Sequence, residues 1–523
     1  MVRARELPID EGASATEMAQ TIFADDVTIV GASYSGDSDG SGVYSNGDAL
    51  MPGVAPGDTG VILSTGDVDD VTNSRGSSNQ RTNTSTNTSG ENNNPDFNAA
   101  AGAATYDAAY LDVDLIPEGD YLTFDFVFLS EEFPEYETGI YQDFVGVWIN
   151  GELVPLSIGD GDIDPNNLNS QSNANLYIDN TSDQYNTEMD GFTVTMSVVI
   201  PVEAGEVNSL RIGIADVSDS NYDSTIMIAA GSGTTKLVAF DDVVQLEPGG
   251  SRTFDVLAND IDSTNGALFV THINGIAVSA GDSVTLTTGQ VITLNADGTL
   301  SAVGDTDEET VNFTYQIENS AGDSDTGFIT INQVPCFVAG TVIDTENGPR
   351  LVEDLKPGDM IRTADEGYQP LRWIGQRQVE ATGKHAPIEI AANTFGAHLR
   401  LQVSPLHRIL VEDARAELMF GEAAVLVSAK YLVNGDTVFP VEGGSVTYVH
   451  LLFDRHQIVF GNGLPSESFL PGSMITSIFE QEVLEEICAL FPDLDPRTGN
   501  GYGEAARRIL RNYEASALFE RAA

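Results

Sequence analysis

Tyr121-Leu122-Thr123-Phe124-Asp125-Phe126-Val127-Phe128 decides the fold class. Its large apolar residues at 122, 124, 126 and 128 recur every second position, which puts one apolar face on a β-strand. Outward from it, short Val, Ile, Phe and Thr runs such as Val61-Ile62-Leu63 are separated by Gly, Asp and Asn turns. Residues 15–234 therefore read as an all-β, sandwich-like domain behind a tail of residues 1–14. Asn73 to Phe97 is nearly pure Asn, Ser, Thr and Gly. It is too polar to offset its ordering entropy by burial and reads as a long mobile loop.

A second β unit, residues 235–335, shows the same period in Val291-Ile292-Thr293-Leu294 and Phe313-Thr314-Tyr315-Gln316-Ile317, with turn signals at Asn295-Ala296-Asp297-Gly298 and Ser320-Ala321-Gly322-Asp323. A β-sandwich fits this length. Residues 336–472 again hold short strands, such as Leu399-Arg400-Leu401-Gln402-Val403. In 473–523 the period changes: Phe479, Val483, Ile487, Leu490 and then Ala505, Ile509, Tyr513, Leu518 predict two short C-terminal helices. The whole reads as mainly β.

The 523 residues carry 23 Lys and Arg against 80 Asp and Glu, a formal charge of -57. That excludes unaided binding to nucleic acid or an anionic bilayer and leaves divalent cations as partners. Residues 1–335 hold 54 acidic and 7 basic side chains, whereas 336–523 hold 26 and 16, with both cysteines and five of the six histidines. The first part looks like passenger and the second like tool. No stretch approaches 18 apolar residues, so no membrane span is expected. Met1 to Phe23 lacks the apolar core of a secretory signal. The Asp, Gly, Ser, Thr and Asn-rich composition suits an extracellular bacterial protein, secreted or on the cell surface, exported without a cleaved N-terminal signal.

The acids Glu131, Glu132, Asp143, Asp216, Asp219 and Asp223 lie beside apolar strands, as oxygen ligands for Ca²⁺ would. Asp37-Ser38-Asp39-Gly40 and Gly159-Asp160-Gly161-Asp162-Ile163-Asp164 are similar loop signals. None has EF-hand or nonapeptide spacing, and solvated turn acids are the plain alternative. Residues 15–233 resemble the choice-of-anchor L domain of bacterial surface and secreted proteins, on Val61-Ile62-Leu63-Ser64-Thr65-Gly66, Phe126-Val127-Phe128-Leu129-Ser130-Glu131-Glu132-Phe133, Asp143-Phe144, Asp190-Gly191 and Ile214-Ala215-Asp216. The second unit resembles a cadherin-like or tandem adhesin repeat, on Phe254-Asp255-Val256-Leu257-Ala258-Asn259-Asp260 and Asp297-Gly298-Thr299-Leu300. Such units are spacers or adhesive modules, often Ca²⁺-associated.

Cys336 stands where the second unit ends, followed by Gly340-Thr341, then by Ser404-Pro405-Leu406-His407 and by His450, Asp454 and His456. An isolated cysteine is ordinarily a small buried hydrophobe. Against that stand its boundary position and these followers, which resemble the Hint domain of hedgehog and intein autoprocessing proteins across residues 336–472. Ser404-x-x-His407 matches the Thr-x-x-His block with Ser replacing Thr, and Tyr448 to Gly463 with Glu467-Ser468 matches the closing block. The resemblance implies autocatalytic cleavage of Pro335–Cys336, with the Cys336 thiolate attacking the Pro335 carbonyl to form a thioester. His407 would protonate the leaving nitrogen, Ser404 would hold the peptide, and Asp454 or His456 would take the thiol proton. Alternation places 450, 454 and 456 on one strand face.

Splicing inteins end in His-Asn followed by a nucleophile. Here Asn462-Gly463 has neither neighbour. Cleavage at the N-terminal junction alone is expected, with water or an amine as acyl acceptor. The sterol-recognition region of hedgehog is absent, and Pro335 replaces its Gly, so attack should be slower. The substrate is the chain's own peptide bond, single-turnover and without a cofactor. A cell-surface ligand of the first domain stays unspecified. His272, His385 and His398 have no supporting pattern, and Cys488 falls on a helical core stripe. The alternative is a Ca²⁺-dependent adhesive or structural surface protein with an idle Hint fold.

Overall fold

A computed structural model describes residues 2–81, 83–137, 139–156, 158, 161–244, 251–264, 266–304, 311–331, 337–381, 386–470, 491, 502, 505–510, 515 and 518–519. The chain divides into two compact units. One comprises Met1–Asp242, Ser251–Val303 and Val311–Thr330, the other Val243–Gly250, Gly304–Thr310 and Ile331–Ala523.

The first domain of the first unit is built on strands β1 (Val27–Ser35), β2 (Ser41–Ser45), β3 (Thr59–Ser64), β4 (Thr105–Pro117), β5 (Tyr121–Ser130), β6 (Phe144–Ile149), β7 (Gly191–Thr193), β8 (Met196–Pro201), β9 (Asn208–Val217) and β10 (Ser224–Ala229). One sheet runs β1-β4-β9-β6. The other runs β2-β3-β10-β5, with β7 and β8 both on β5. Leu122, Phe124, Phe126 and Phe128 enter the core shared with Leu111, Val113, Ile212 and Ile214. The opposite face of β5 is buried too: Val127 and Leu129 pack with Tyr44, Met51 and Met227. A strand central to its sheet and covered on both faces keeps its alternation without showing it to water. Helix α1 (Ala15–Ile22), started by a Ser14–Glu17 capping box, buries Met18, Ala19 and Ile22 against this core.

The polar stretch from Asn73 departs from the expected mobile loop. Its backbone amides donate to carboxylates: Ser78 to Asp183 at 2.9 Å, Gln80 to Glu188 at 2.7 Å, Thr86 to Asp223 at 2.8 Å and Ser89 to Asp37 at 2.7 Å. Charge-assisted hydrogen bonds supply what apolar burial cannot. The stretch runs into helix α2 (Pro95–Ala101), capped by Asn94.

The second domain holds β11 (Leu268–Ile273), β12 (Val291–Leu294), β13 (Leu300–Val303), β14 (Val311–Asn319) and β15 (Ser324–Ile331). β11, β14 and β15 share one sheet, β12 and β13 a second, and Ile292, Leu300, Phe313, Tyr315 and Ile329 are buried. The Asn295–Gly298 turn joins β12 to β13 as the sequence indicates. The amide of Gly298 donates to Asn295 at 3.1 Å, and Gly298 takes φ +90, the region glycine enters freely. At the joint of the two domains the Thr123 hydroxyl donates to Asp325 at 3.0 Å, and burial raises Asp125 to about 7 and Asp325 well above its usual value.

The second unit holds β16 (Phe337–Val338), β17 (Val342–Thr345), β18 (Trp373–Glu380), β19 (Leu401–Val403), β20 (Arg408–Glu412), β21 (Ala424–Ser428), β22 (Ser445–Leu452), β23 (Ile458–Gly461) and β24 (Leu464–Glu467). β18-β22-β16-β19 lie in one sheet and β17-β23-β24-β20-β21 in another. Phe337, Ile343, Leu401, Val449 and Val459 fill the core between them. The first predicted C-terminal helix, with Cys488, lies almost wholly outside the described residues. The second is corrected at its start and kept at its end, where Ala515, Leu518 and Phe519 are helical. Residues 505–510 are not helical: the Leu426 amide donates to Arg508 and the Leu510 amide to Leu426, both at 2.8 Å. The open edge of β21 presents unpaired backbone groups, and the tail pairs with them.

Candidate active site

Residues 404–407 form a turn between β19 and β20. The His407 amide donates to the Ser404 carbonyl at 3.0 Å, with Pro405 in the position its fixed φ favours. This turn points the His407 ring inward, edge-on to Phe337 with centroids 4.4 Å apart. Phe337 follows Cys336 in the chain and is held by backbone pairing to Val403 and Val449. Pro335 and Cys336 themselves lie outside the described residues.

His407 is 2% exposed, and neither ring nitrogen has a hydrogen-bond partner among the described residues. Burial lowers it to about 4, with Glu467 working against that shift and Arg408, His450 and His456 adding to it. The imidazole is therefore neutral near pH 7, one nitrogen bearing a proton and the other a lone pair.

Around it lies a buried ionic group. The Glu467 carboxylate accepts from the Arg408 amide at 2.8 Å and from its guanidinium at 3.0 Å. Burial alone would raise Glu467. Arg408 and the hydrogen bond with His456 outweigh it and hold the carboxyl below its usual value. His456 Nε2 sits 3.2 Å from the Ser468 carbonyl and 3.5 Å from Glu467, while Nδ1 accepts the Ala506 amide at 2.9 Å. That acceptor role puts the ring proton on Nε2 and leaves neither nitrogen free. Sequence reasoning assigned no role to Arg408, Glu467 or Ala506. The charge of Glu467 two residues before the apolar Phe469 was the available signal.

His450 on β22 is buried, its ring edge-on to Phe469 at 5.9 Å, and Ser404 is 3% exposed. Asp454 is corrected. β22 ends at Leu452, so 450, 454 and 456 do not share a strand face. Asp454 accepts two bonds of 2.7 Å from Arg372 with about half its side chain exposed, away from any buried proton transfer. Asn462 takes φ +50, accepts the Val342 amide at 2.8 Å and donates its side-chain amide to Arg400 at 2.6 Å. Its role is structural. His398 closes its own turn through the Phe395 amide, and His385 lies outside the described residues.

Five of the six predicted cation ligands lie within electrostatic reach of one another around Asp143, which feels Asp219 and Asp223 and is felt by Glu132 and Asp216, yet no three of them bring their oxygens within 4.8 Å of one another. Asp143 is satisfied by the Val217 amide and the Ser224 hydroxyl, Asp223 by the Thr86 amide, and Asp219 accepts from Asn221. Glu131, Glu132 and Asp216 are buried with at least one oxygen lacking a partner. Among the described residues the one trio of acids with oxygens within 4.8 Å of one another is Glu11, Asp67 and Asp69, at the surface. Asp37 accepts the Asp39 and Ser89 amides as a turn residue, and Gly159 and Asp160 lie outside the described residues.

Residues 335–473 match the family model of the Hint domain, residues 9–234 that of the choice-of-anchor L domain, and residues 234–332 that of the bacterial Ig domain. Solved structures similar to the chain include the crystal structure of the gp41-1 intein, at 8% identity, covering 26% of this chain and 98% of that one with a TM-score of 0.18. The MchDnaB-1 intein is another, at 13% identity, 25% and 98% coverage and the same TM-score of 0.18. No curated protein matches. The family matches carry the assignment: the chain holds a choice-of-anchor L domain, a bacterial Ig domain and a Hint domain. No helix among the described residues is long and apolar enough to cross a membrane.

Proposed function

We propose that the Hint domain cleaves the Pro335–Cys336 bond of its own chain. The observation that carries this reading is His407, fully buried with both nitrogens unpartnered beside Phe337. An imidazole left so costs about 1–3 kcal/mol in unmet hydrogen bonding, a cost an idle fold gives no reason to keep.

The Cys336 sulfur attacks the Pro335 carbonyl carbon. The C–N bond breaks as a C–S bond forms, and the freed amine of Cys336 takes a proton. A neutral His407 serves both ends of this transfer, accepting the thiol proton on its bare nitrogen and donating to the leaving nitrogen. Ser404 and His450 orient the peptide, and His456, fixed by Ala506 and Glu467, positions the pocket. Water then adds to the thioester, giving a Pro335 carboxylate and restoring the thiol, unless an amine intercepts it. Asn462, its side-chain amide tied to Arg400, takes no part in a second cut. The choice-of-anchor L and bacterial Ig domains suggest a surface or extracellular protein, with residues 1–335 as the released or transferred part.

The test is a denaturing gel of the purified chain with and without added thiol, beside Cys336→Ala. Thiol should split the wild type into two fragments and leave the variant whole; a wild-type band at 55.7 kDa under both conditions contradicts the reading.

A further inference from the structure

We propose that Glu131 and Asp190, with Thr84 and Asn79 from the polar strap, form a binding site for a hard divalent cation of the Ca²⁺ class. The placement follows from register. In the antiparallel pair of β5 and β7, Gly191 faces Ser130 and Phe192 faces Leu129, so the next residues outward, Asp190 and Glu131, stand opposite each other. Two like charges directly across a ladder repel, and they do so more strongly out of water. Both are nonetheless buried, Glu131 at 1% and Asp190 at 2% exposure.

Neither oxygen of Glu131 has a hydrogen-bond partner among the described residues. The Thr84 hydroxyl beside it and the side-chain oxygen of Asn79 are equally unpartnered, while the Asn79 amide nitrogen donates to Asp190 at 2.6 Å. Burial, then the Asp190 charge, raises Glu131 to about 9. No described Lys or Arg forms a salt bridge with either acid. Arg81, the basic side chain of the strap, is paired with Asp70 instead.

Protonation does not resolve this arrangement. A proton on Glu131 removes its charge and supplies one donor, which can serve only one of the surrounding acceptor oxygens and leaves the others without a partner. A cation satisfies all of them, since carboxylate, amide carbonyl and hydroxyl oxygens are the donors that Ca²⁺ takes. A set of two carboxylates and two neutral oxygens also answers why the site has no three-acid signature in the sequence.

The experiment uses the full chain carrying Cys336→Ala, so its outcome does not depend on cleavage. After chelation, Ca²⁺ is titrated while the melting temperature is followed, and Tb³⁺ is titrated while emission sensitised by tyrosine is read, Tyr177 being close enough to feel the Asp190 charge. Ca²⁺ should raise the melting temperature by several degrees and Tb³⁺ should emit. Both responses should be lost in Glu131→Gln and in Asp190→Asn and kept in Asp219→Asn. Glu131→Gln without added ion should melt no lower than the chelated parent, because it replaces a carboxyl that burial already holds neutral. An unchanged melting temperature with no emission, or equal responses in parent, Glu131→Gln and Asp190→Asn, overturns the site.

Discussion

The acid end of the first domain and the histidine pocket of the Hint domain both bury titratable groups that lack hydrogen-bond partners, and they push them in opposite directions. At Glu131 burial raises a carboxyl to about 9; at His407 it lowers an imidazole to about 4. The cause is the same, since a low-dielectric interior disfavours whichever form is charged. The consequence differs. A neutral Glu131 beside a charged Asp190 is an inert resting state that a cation completes, whereas a neutral imidazole holds a proton and a lone pair at once and is ready to transfer.

The comparison can be broken most sharply at His407. His407→Asn should slow thiol-induced cleavage by about 10²–10⁴-fold, the usual yield of acid–base catalysis, with the fold retained by circular dichroism. A variant that cleaves at the wild-type rate removes His407 from the chemistry.

Next in size is the ionic group around it. Glu467→Ala leaves Arg408 partly buried without its carboxylate and should destabilise the second unit by about 3–5 kcal/mol in denaturant unfolding. Glu467→Gln keeps the volume and one acceptor and should cost less.

The opposed shifts also predict opposed pH slopes. For Glu131 and Asp190 the folded values lie above the unfolded ones, so their stabilising effect is full below the unfolded values of 4.5 and 3.8 and is lost as pH rises through about 6 for Asp190 and about 9 for Glu131. For His407 the folded value lies below the unfolded 6.5, so stability is full above 6.5 and falls as pH drops toward about 4. Melting in chelator across pH 4–9 should show the first unit weakening upward and the second weakening downward, resolved by domain-specific fluorescence. Parallel slopes contradict the comparison.

The smallest effect belongs to Asp454. Its exposed pair with Arg372 predicts that Asp454→Asn shifts stability by less than about 1 kcal/mol and leaves the cleavage rate unchanged.

The fold class was legible because β5 carries its period even at the centre of a sheet. The Asn295–Gly298 hairpin was legible because glycine there answers a local backbone demand. The strap from Asn73 was misread because composition reports apolar burial, and this segment is held by its own amides donating to carboxylates far along the chain. The helical reading failed over residues 505–510 for a related reason: the open edge of β21 decides their conformation, while Ala515 and Leu518 are helical as expected. In the pocket, Ser404 and His407 were legible as a motif on a proline turn. The contrast between buried His456 and exposed Asp454 was not, because both follow the end of β22, beyond the reach of strand alternation. The acids were recognised as a group, but which of them lacks a partner depends on the strap.

The most direct test of the central claim is the intact mass of the products after incubation of the full chain with a water-soluble thiol. Two species are predicted, one ending in Pro335 as free acid or thiol thioester and one beginning at Cys336 with a free amine. A single species at the full-chain mass, or a cut at any other bond, contradicts it.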